Sequence, residues 1–218
     1  MKQKKILFVA NVAKEHILKF HTPTLKMLQS QGYLVDVACS GNEQIPYCRK
    51  QFNMKYKRNP ISINTIFGIK QLREIIKKEN YDLISCHTPT GGVVARLSCL
   101  GLKIKPIVMY TAHGFHFFKG ASLVNWLVFF PIEWLLSYCT DYLVVINKED
   151  YNNAIKYHFG MKHIYLINGL GVDINRFKKK ISDDEKFNLC NQLNIKKENI
   201  VLIYVAEVIK NKNQVILL

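Results

Sequence analysis

Short apolar runs alternate along this chain with stretches patterned as helices, and that alternation limits its fold more than any other feature. Lys5–Ala10, Leu34–Ala38, Asp82–Cys86, Pro106–Thr111, Tyr142–Ile146 and His163–Ile167 read as strands, with residues near Asn53–Lys57 able to add another. Runs that are apolar at successive positions suit strands buried on both faces, and helices between them imply right-handed crossovers in a parallel, doubly wound sheet. The chain is therefore read as α/β, with a Rossmann-like sheet.

The intervening helices carry signals of their own. Thr22-Pro23 can start or kink a helix that closes at Gly32, and Asn64 to Lys78 places Ile66, Ile69, Leu72, Ile75 and Ile76 on one face. Asp150 to His158 reads as a short helix ended at Gly160 by a residue suited to a left-handed cap. From Lys178 to Asn199 the composition turns polar and lysine-rich, with a helix over Ser182–Leu193, before a fresh strand pattern at Ile200–Ala206 and the first turns of a helix at the end. The domain reading is a complete unit over 1–177, a polar linker and helix over 178–199, and the truncated start of a second Rossmann-like domain over 200–218.

Composition removes whole classes of function. With 49% hydrophobic and 22% charged residues the chain is not disordered, and a formal charge of +15 implies attraction to phosphate-bearing or anionic partners. That charge is spread along the chain, and no recognition helix, zinc-finger spacing or stacking-aromatic signature accompanies it, so nucleic acid is not the expected partner. The six cysteines form no Cys-x-x-Cys pair and are read as reduced thiols of a cytoplasmic protein, while the apolar run Ile6 to Ala10 is too short for a signal-peptide core.

Several turns fall where ligands bind in α/β folds. Asn11-Val12-Ala13-Lys14-Glu15-His16 follows the first strand but lacks Gly-x-Gly-x-x-Gly, which argues against a dinucleotide-dependent oxidoreductase. His87-Thr88-Pro89-Thr90-Gly91-Gly92 precedes a helix from about Val93 to Leu100. Thr90 is the candidate cap, and the two glycines either leave amides open to an anion or sugar hydroxyl or simply make a capped turn. His113-Gly114 ends the strand Pro106–Thr111, where an imidazole can reach into a cleft or serve as a structural histidine. A metal site from His87, His113 and His116 is disfavoured, because no acidic or cysteine partner stands at a ligand spacing.

Ser122 to Tyr138 is the most hydrophobic stretch, with Trp126, Phe129, Phe130, Trp134 and one charge, Glu133. Asn125, Pro131 and Glu133 interrupt it and it falls between two strands, so it reads as a largely buried crossover helix, with partial exposure to a membrane surface as the functional variant. Asn168-Gly169 through Asp173, Arg176 and Phe177 is a turn-rich hinge that Phe177 can pin to a core.

In order and spacing, these segments resemble glycosyltransferases of the GT-B fold, family four, in the branch that assembles exopolysaccharide or capsule. The matching pieces are Ile6-Leu7-Phe8-Val9-Ala10-Asn11, Tyr81 through Pro89, Tyr110 through Gly120, Asn168-Gly169 through Asp173 with Phe177, and Lys210-Asn211-Lys212-Asn213-Gln214. The resemblance implies an acceptor-side N-terminal domain facing a donor domain, with retention of anomeric configuration and a nucleotide-sugar as co-substrate but no bound cofactor or metal. It implies that His113 faces the transferred sugar, and that Asn11, Lys14, His16, Thr90, Gly91 and Gly92 border the acceptor pocket. Gly114 and Lys212 go to the donor. It further implies a lipid-linked saccharide acceptor and a peripheral location on an anionic membrane surface, at the inner face of the cell membrane.

The resemblance is incomplete in two respects. The family's glutamate pair in the donor domain is expected beyond Leu218, and Ala206-Glu207 stands where relatives carry glycine. This chain alone is accordingly expected to be inactive. The alternative reading is a non-catalytic protein that uses the same half-fold to bind a partner or a membrane.

Overall fold

The structure is a computed structural model that describes residues 3–56, 62–178, 180–196, 198–208 and 212–217, with Arg176 and Phe177 described in backbone only. The chain divides into two compact units, Met1–Gly171 and Val172–Leu218.

The first unit is built on a seven-stranded sheet in the order β3-β2-β1-β4-β5-β6-β7. The strands are β1 (Lys5–Val12), β2 (Leu34–Ser40), β3 (Lys50–Asn53), β4 (Leu83–His87), β5 (Ile107–Ala112), β6 (Tyr142–Val145) and β7 (His163–Leu166), and every pairing is parallel. The central strands β1, β2 and β4 are buried along nearly their whole length, whereas the edges β3 and β7 are mostly exposed, as an α/β sheet requires. The additional strand lies at Lys50–Asn53 and not at Asn53–Lys57, and Lys57 is outside the described residues. Its position follows from Asp36, whose carboxylate accepts a hydrogen bond from the Lys50 amide and draws this segment alongside β2.

A core lies on each face. Ile6, Phe8, Val35 and Val37 pack with Ala13, Ile17 and Leu25 from a π-helical segment (Ala13–His21) and the helix α1 (Thr22–Ser30) that continues it. On the opposite face Leu7, Val9, Ile84, Cys86, Val108 and Tyr110 pack under α2 (Ile63–Glu79), α3 (Pro89–Cys99), α4 (Leu123–Ser137) and α5 (Lys148–Lys156). In α2 the buried line is Thr65, Gly68, Leu72 and Ile76, while Ile66 faces solvent. Of the face the sequence suggests, Leu72 and Ile76 are buried and Ile69 and Ile75 pack partly buried against the same core, while Gly68 admits the Tyr56 ring.

Two helix ends also differ from expectation. Thr88 caps α3, accepting from the Gly91 amide, so the helix begins at Pro89 and Thr90 lies within its first turn. After α5 the left-handed residue is His158, not Gly160; Gly160 serves close approach, since a Cβ there would sit 2.4 Å from the Tyr138 ring.

The apolar helix α4 is less covered than the sequence reading expects. Glu133, Leu136 and Ser137 are its buried residues, whereas Leu123, Leu127, Leu135 and Tyr138 form an exposed stripe at helical spacing, with Leu127 76% exposed. No helix among the described residues is long and apolar enough to cross a membrane. The described cysteines are free thiols, and burial pushes Cys39, Cys86 and Cys99 up to about 12, so they are inert packing residues.

In the second unit α6 (Ile174–Phe177) precedes α7 (Asp183–Gln192), which Ser182 and Glu185 start with a reciprocal capping box. Residues 200–206, where the sequence suggests a strand, form none and do not pair into the seven-stranded sheet. A short 3₁₀ turn, Gln214–Leu217, ends the described chain. The Phe177 side chain, Lys210 and Asn211 lie outside the described residues.

Candidate active site

Strand order reverses between β1 and β4, and the crevice at the carboxyl ends of such strands is where open α/β sheets bind ligands. Asn11 at the end of β1 and Thr88 after β4 meet there. The Asn11 carboxamide oxygen accepts from the Gly91 amide at 2.8 Å and from the Thr88 hydroxyl at 2.9 Å, and the Asn11 amide donates to that hydroxyl at 3.2 Å. The Gly92 amide is used as well, donating to the Thr88 carbonyl at 2.8 Å. The free amides that the sequence suggests at Gly91 and Gly92 are therefore occupied by the protein itself.

What the glycines supply is proximity. A Cβ on Gly91 would lie 3.0 Å from the Ala10 Cα, and one on Gly92 would lie 2.6 Å from the Tyr110 ring. Thr88 holds φ at +65°, a conformation that a β-branched residue adopts only under constraint and that concentrates at ligand sites.

Above this knot stand four histidines. His16 and His21 come from the π-helical segment, His87 from the last position of β4, and His113 follows β5 directly. In an α-helix residues five apart diverge by about 140° around the axis. The i→i+5 bonding of a π-helix stacks them on one side instead, and the Nε2 atoms of His16 and His21 lie 3.1 Å apart. The His87 ring stacks on Phe8 and packs against His21 at 4.0 Å between centroids, and the His113 ring meets His16 edge-on at 4.9 Å.

Electrostatics keeps this cluster neutral. Burial pushes His16 down to about 3, with His21 and His113 adding to the effect, and burial beside His113 takes His21 to about 4. His87, fully enclosed, lies well below the ordinary imidazole value, and burial lowers His113 as well. A neutral imidazole offers one donor and one acceptor, which suits hydrogen bonding to sugar hydroxyls.

The remaining site candidates spread around this centre. His113 is half-buried, and Gly114 beside it faces open space. Phe115 and Phe117 turn inward, and the Asp150 carboxylate pins the loop by accepting from the Phe115 amide at 2.9 Å. His116 turns outward and stacks on Phe129, so it is not a partner of His87 and His113; His16 and His21 take that place. Lys14 is exposed on the π-helical segment and Thr90 is fully buried, so Thr90 cannot touch an acceptor without rearrangement. Lys212 is exposed in the second unit, where its carbonyl accepts from the Tyr204 hydroxyl at 2.8 Å.

Sequence reasoning missed His21 and the ion pair beneath the site. Arg96 on α3 and Glu133 on α4 meet at 2.8 Å, with the Tyr110 hydroxyl 3.2 Å from Glu133 and the guanidinium 4.0 Å from the Tyr110 ring centroid. Burial works against the Arg96 charge, and the Glu133 carboxylate more than offsets it, leaving the guanidinium firmly protonated. One lone charge in each of two apolar helices was the available signal.

Residues 5–147 match the family described as glycosyl transferase 4-like. The chain is 39% identical over 212 residues to a putative glycosyltransferase, EpsD, of Bacillus subtilis (strain 168), covering 97% of this chain and 55% of that protein. It is 30% identical to the UDP-Gal:alpha-D-GlcNAc-diphosphoundecaprenol alpha-1,3-galactosyltransferase of Escherichia coli, over 72% of this chain and 40% of the relative. The chain thus spans about half the length of these curated relatives. A crystal structure of a glycosyltransferase from Rickettsia africae ESF-5 superposes with a TM-score of 0.60 at 15% identity, covering 91% of this chain and 51% of that one, so the two share a fold over about half of that chain. With its sheet, switch-point crevice and family match in agreement, the chain belongs to the glycosyl transferase 4-like family.

Proposed function

We propose that this chain forms the acceptor side of a retaining sugar transfer, from a nucleotide-sugar to a lipid-linked saccharide, in exopolysaccharide or capsule synthesis. The observation that carries the reading is His113: it follows β5, the strand paired with β4 beside the switch point, and is half-exposed next to the open Gly114. From there its neutral imidazole can orient the transferred sugar, while Asn11, Lys14 and His16 border the acceptor. The diphosphoundecaprenol-linked acceptor named for the Escherichia coli relative supports a lipid-linked acceptor here.

Transfer requires the two reactants held in register and the leaving phosphate stabilised. These 218 residues provide one sheet and one wall of such a cleft, with Lys212 as the donor-side candidate. Incubated with radiolabelled nucleotide-sugars and bacterial membrane extract, the 218-residue chain is expected to show no turnover above background. Turnover that vanishes on His113→Ala would show that the donor side is already complete in these residues. Turnover unaffected by His113→Ala would remove His113 from the reaction.

A membrane-bound acceptor calls for a surface that meets lipid. The exposed stripe Leu123, Leu127, Leu135 and Tyr138 on α4, in a chain of formal charge +15, supports weak binding to anionic bilayers. In sedimentation with vesicles, binding to anionic lipid is expected to fall as salt screens it and to be near absent for neutral lipid. Equal binding to both, or to neither, counts against a peripheral location.

A further inference from the structure

The geometry points to a metal site: His16, His21, His87 and His113 form a four-imidazole cage for one divalent late first-row transition ion of the zinc class. One ring nitrogen from each residue lies within 4.8 Å of the others, and three of the four residues are buried. Zinc–imidazole bonds of about 2.0–2.1 Å put tetrahedral ligand atoms about 3.3 Å apart. The His16 and His21 Nε2 atoms, at 3.1 Å, already stand at nearly that spacing.

Two further observations indicate a ligand. The His87 Nδ1 and the His113 Nε2 are buried without any hydrogen-bond partner among the described residues, and His87 as a whole is only 4% exposed. Buried polar atoms left unsatisfied in this way require an explanation, and a bound ion supplies one. In addition, the His87 Nε2 lies 3.0 Å from the Ser85 hydroxyl. With that nitrogen donating to Ser85, the lone pair of His87 falls on the buried, unpartnered Nδ1. Metal-bound histidines typically have their second nitrogen held in this manner.

The donor set selects the ion. Magnesium and calcium demand oxygen ligands, and this cage has none, whereas imidazole suits zinc, cobalt, nickel and copper. Ligation through the Nε2 of His113 leaves its Nδ1 for a sugar, so an ion here and the orienting role of His113 are compatible. The spacing His16-x₄-His21 is not a ligand spacing on an α-helix; the π-helical turn makes it one.

The test uses the untagged 218-residue chain, stripped with a chelator and titrated with Zn²⁺ by calorimetry and with Co²⁺ by visible absorption. One tightly held ion per chain is expected, with the intense visible bands of four-coordinate Co²⁺, a Zn²⁺-dependent rise in Tm, and no response to Mg²⁺. His16→Gln and His21→Gln are each expected to weaken Zn²⁺ binding at least 10-fold, and Ser85→Ala about 10-fold, while His116→Gln leaves it unchanged. Metal-free melting curves check that each variant folds, and Ser85→Ala, which keeps all four rings, carries the test if a histidine variant does not. Absence of one-to-one binding overturns the proposal. So does binding as tight in the folded variants as in the parent chain, which would make the cluster a hydrogen-bonded histidine stack.

Discussion

Glu133→Ala should destabilise the protein by about 3–5 kcal/mol, the range for breaking a buried ion pair by removing one partner. The substitution leaves the Arg96 guanidinium, 1% exposed, without its counter-charge and strips the Tyr110 hydroxyl of its acceptor. Both tryptophans, Trp126 and Trp134, are on α4, so their fluorescence in urea follows the interface that Glu133 holds. The double variant Arg96→Met, Glu133→Leu removes both charges at once and is expected to recover most of the loss. A cost under about 1 kcal/mol for Glu133→Ala would mean that the pair is solvated and not buried.

A loss of about 3 kcal/mol is expected for Asp36→Ala, in the middle of β2 and fully buried. Asp36 accepts from the Arg49 guanidinium, from the Tyr81 hydroxyl at 2.7 Å and from the Lys50 amide at 3.1 Å, tying β3 and the approach to β4 onto one carboxylate. Arg49 is partly exposed and also reaches Glu79 at 3.0 Å, so it keeps some compensation. The buried Tyr81 hydroxyl and the Lys50 amide do not, which sets the estimate at the lower end of the buried-charge range. Amide hydrogen exchange should show β3 opening first in this variant. Protection of β3 equal to that in the parent chain would contradict the tie.

Most of the sheet was legible in the sequence because a strand buried on both faces has to be apolar at successive positions. Leu34–Ala38 and Tyr142–Ile146 needed no tertiary information to be placed within a residue or two. β3 was misplaced because its short polar run Lys50-Gln51-Phe52-Asn53 bears no such pattern; its position comes from a hydrogen bond to Asp36. The α5 cap was misassigned for a similar reason, since Gly160 is small to admit the Tyr138 ring and not to turn the chain.

The sequence by itself determined the layered α/β architecture and the placement of His113 just after a strand, since each rests on local periodicity. Only the tertiary structure decided the site. Whether the Gly91 amide was free depended on Asn11, eighty residues away in the chain, turning its carboxamide onto it. The meeting of four histidines depended on a π-helical turn that stacks His16 over His21, and on sheet pairing that brings the ends of β1, β4 and β5 together. Neither is encoded in a spacing, because hydrogen-bond phase and strand order are set by packing among residues that are remote along the chain.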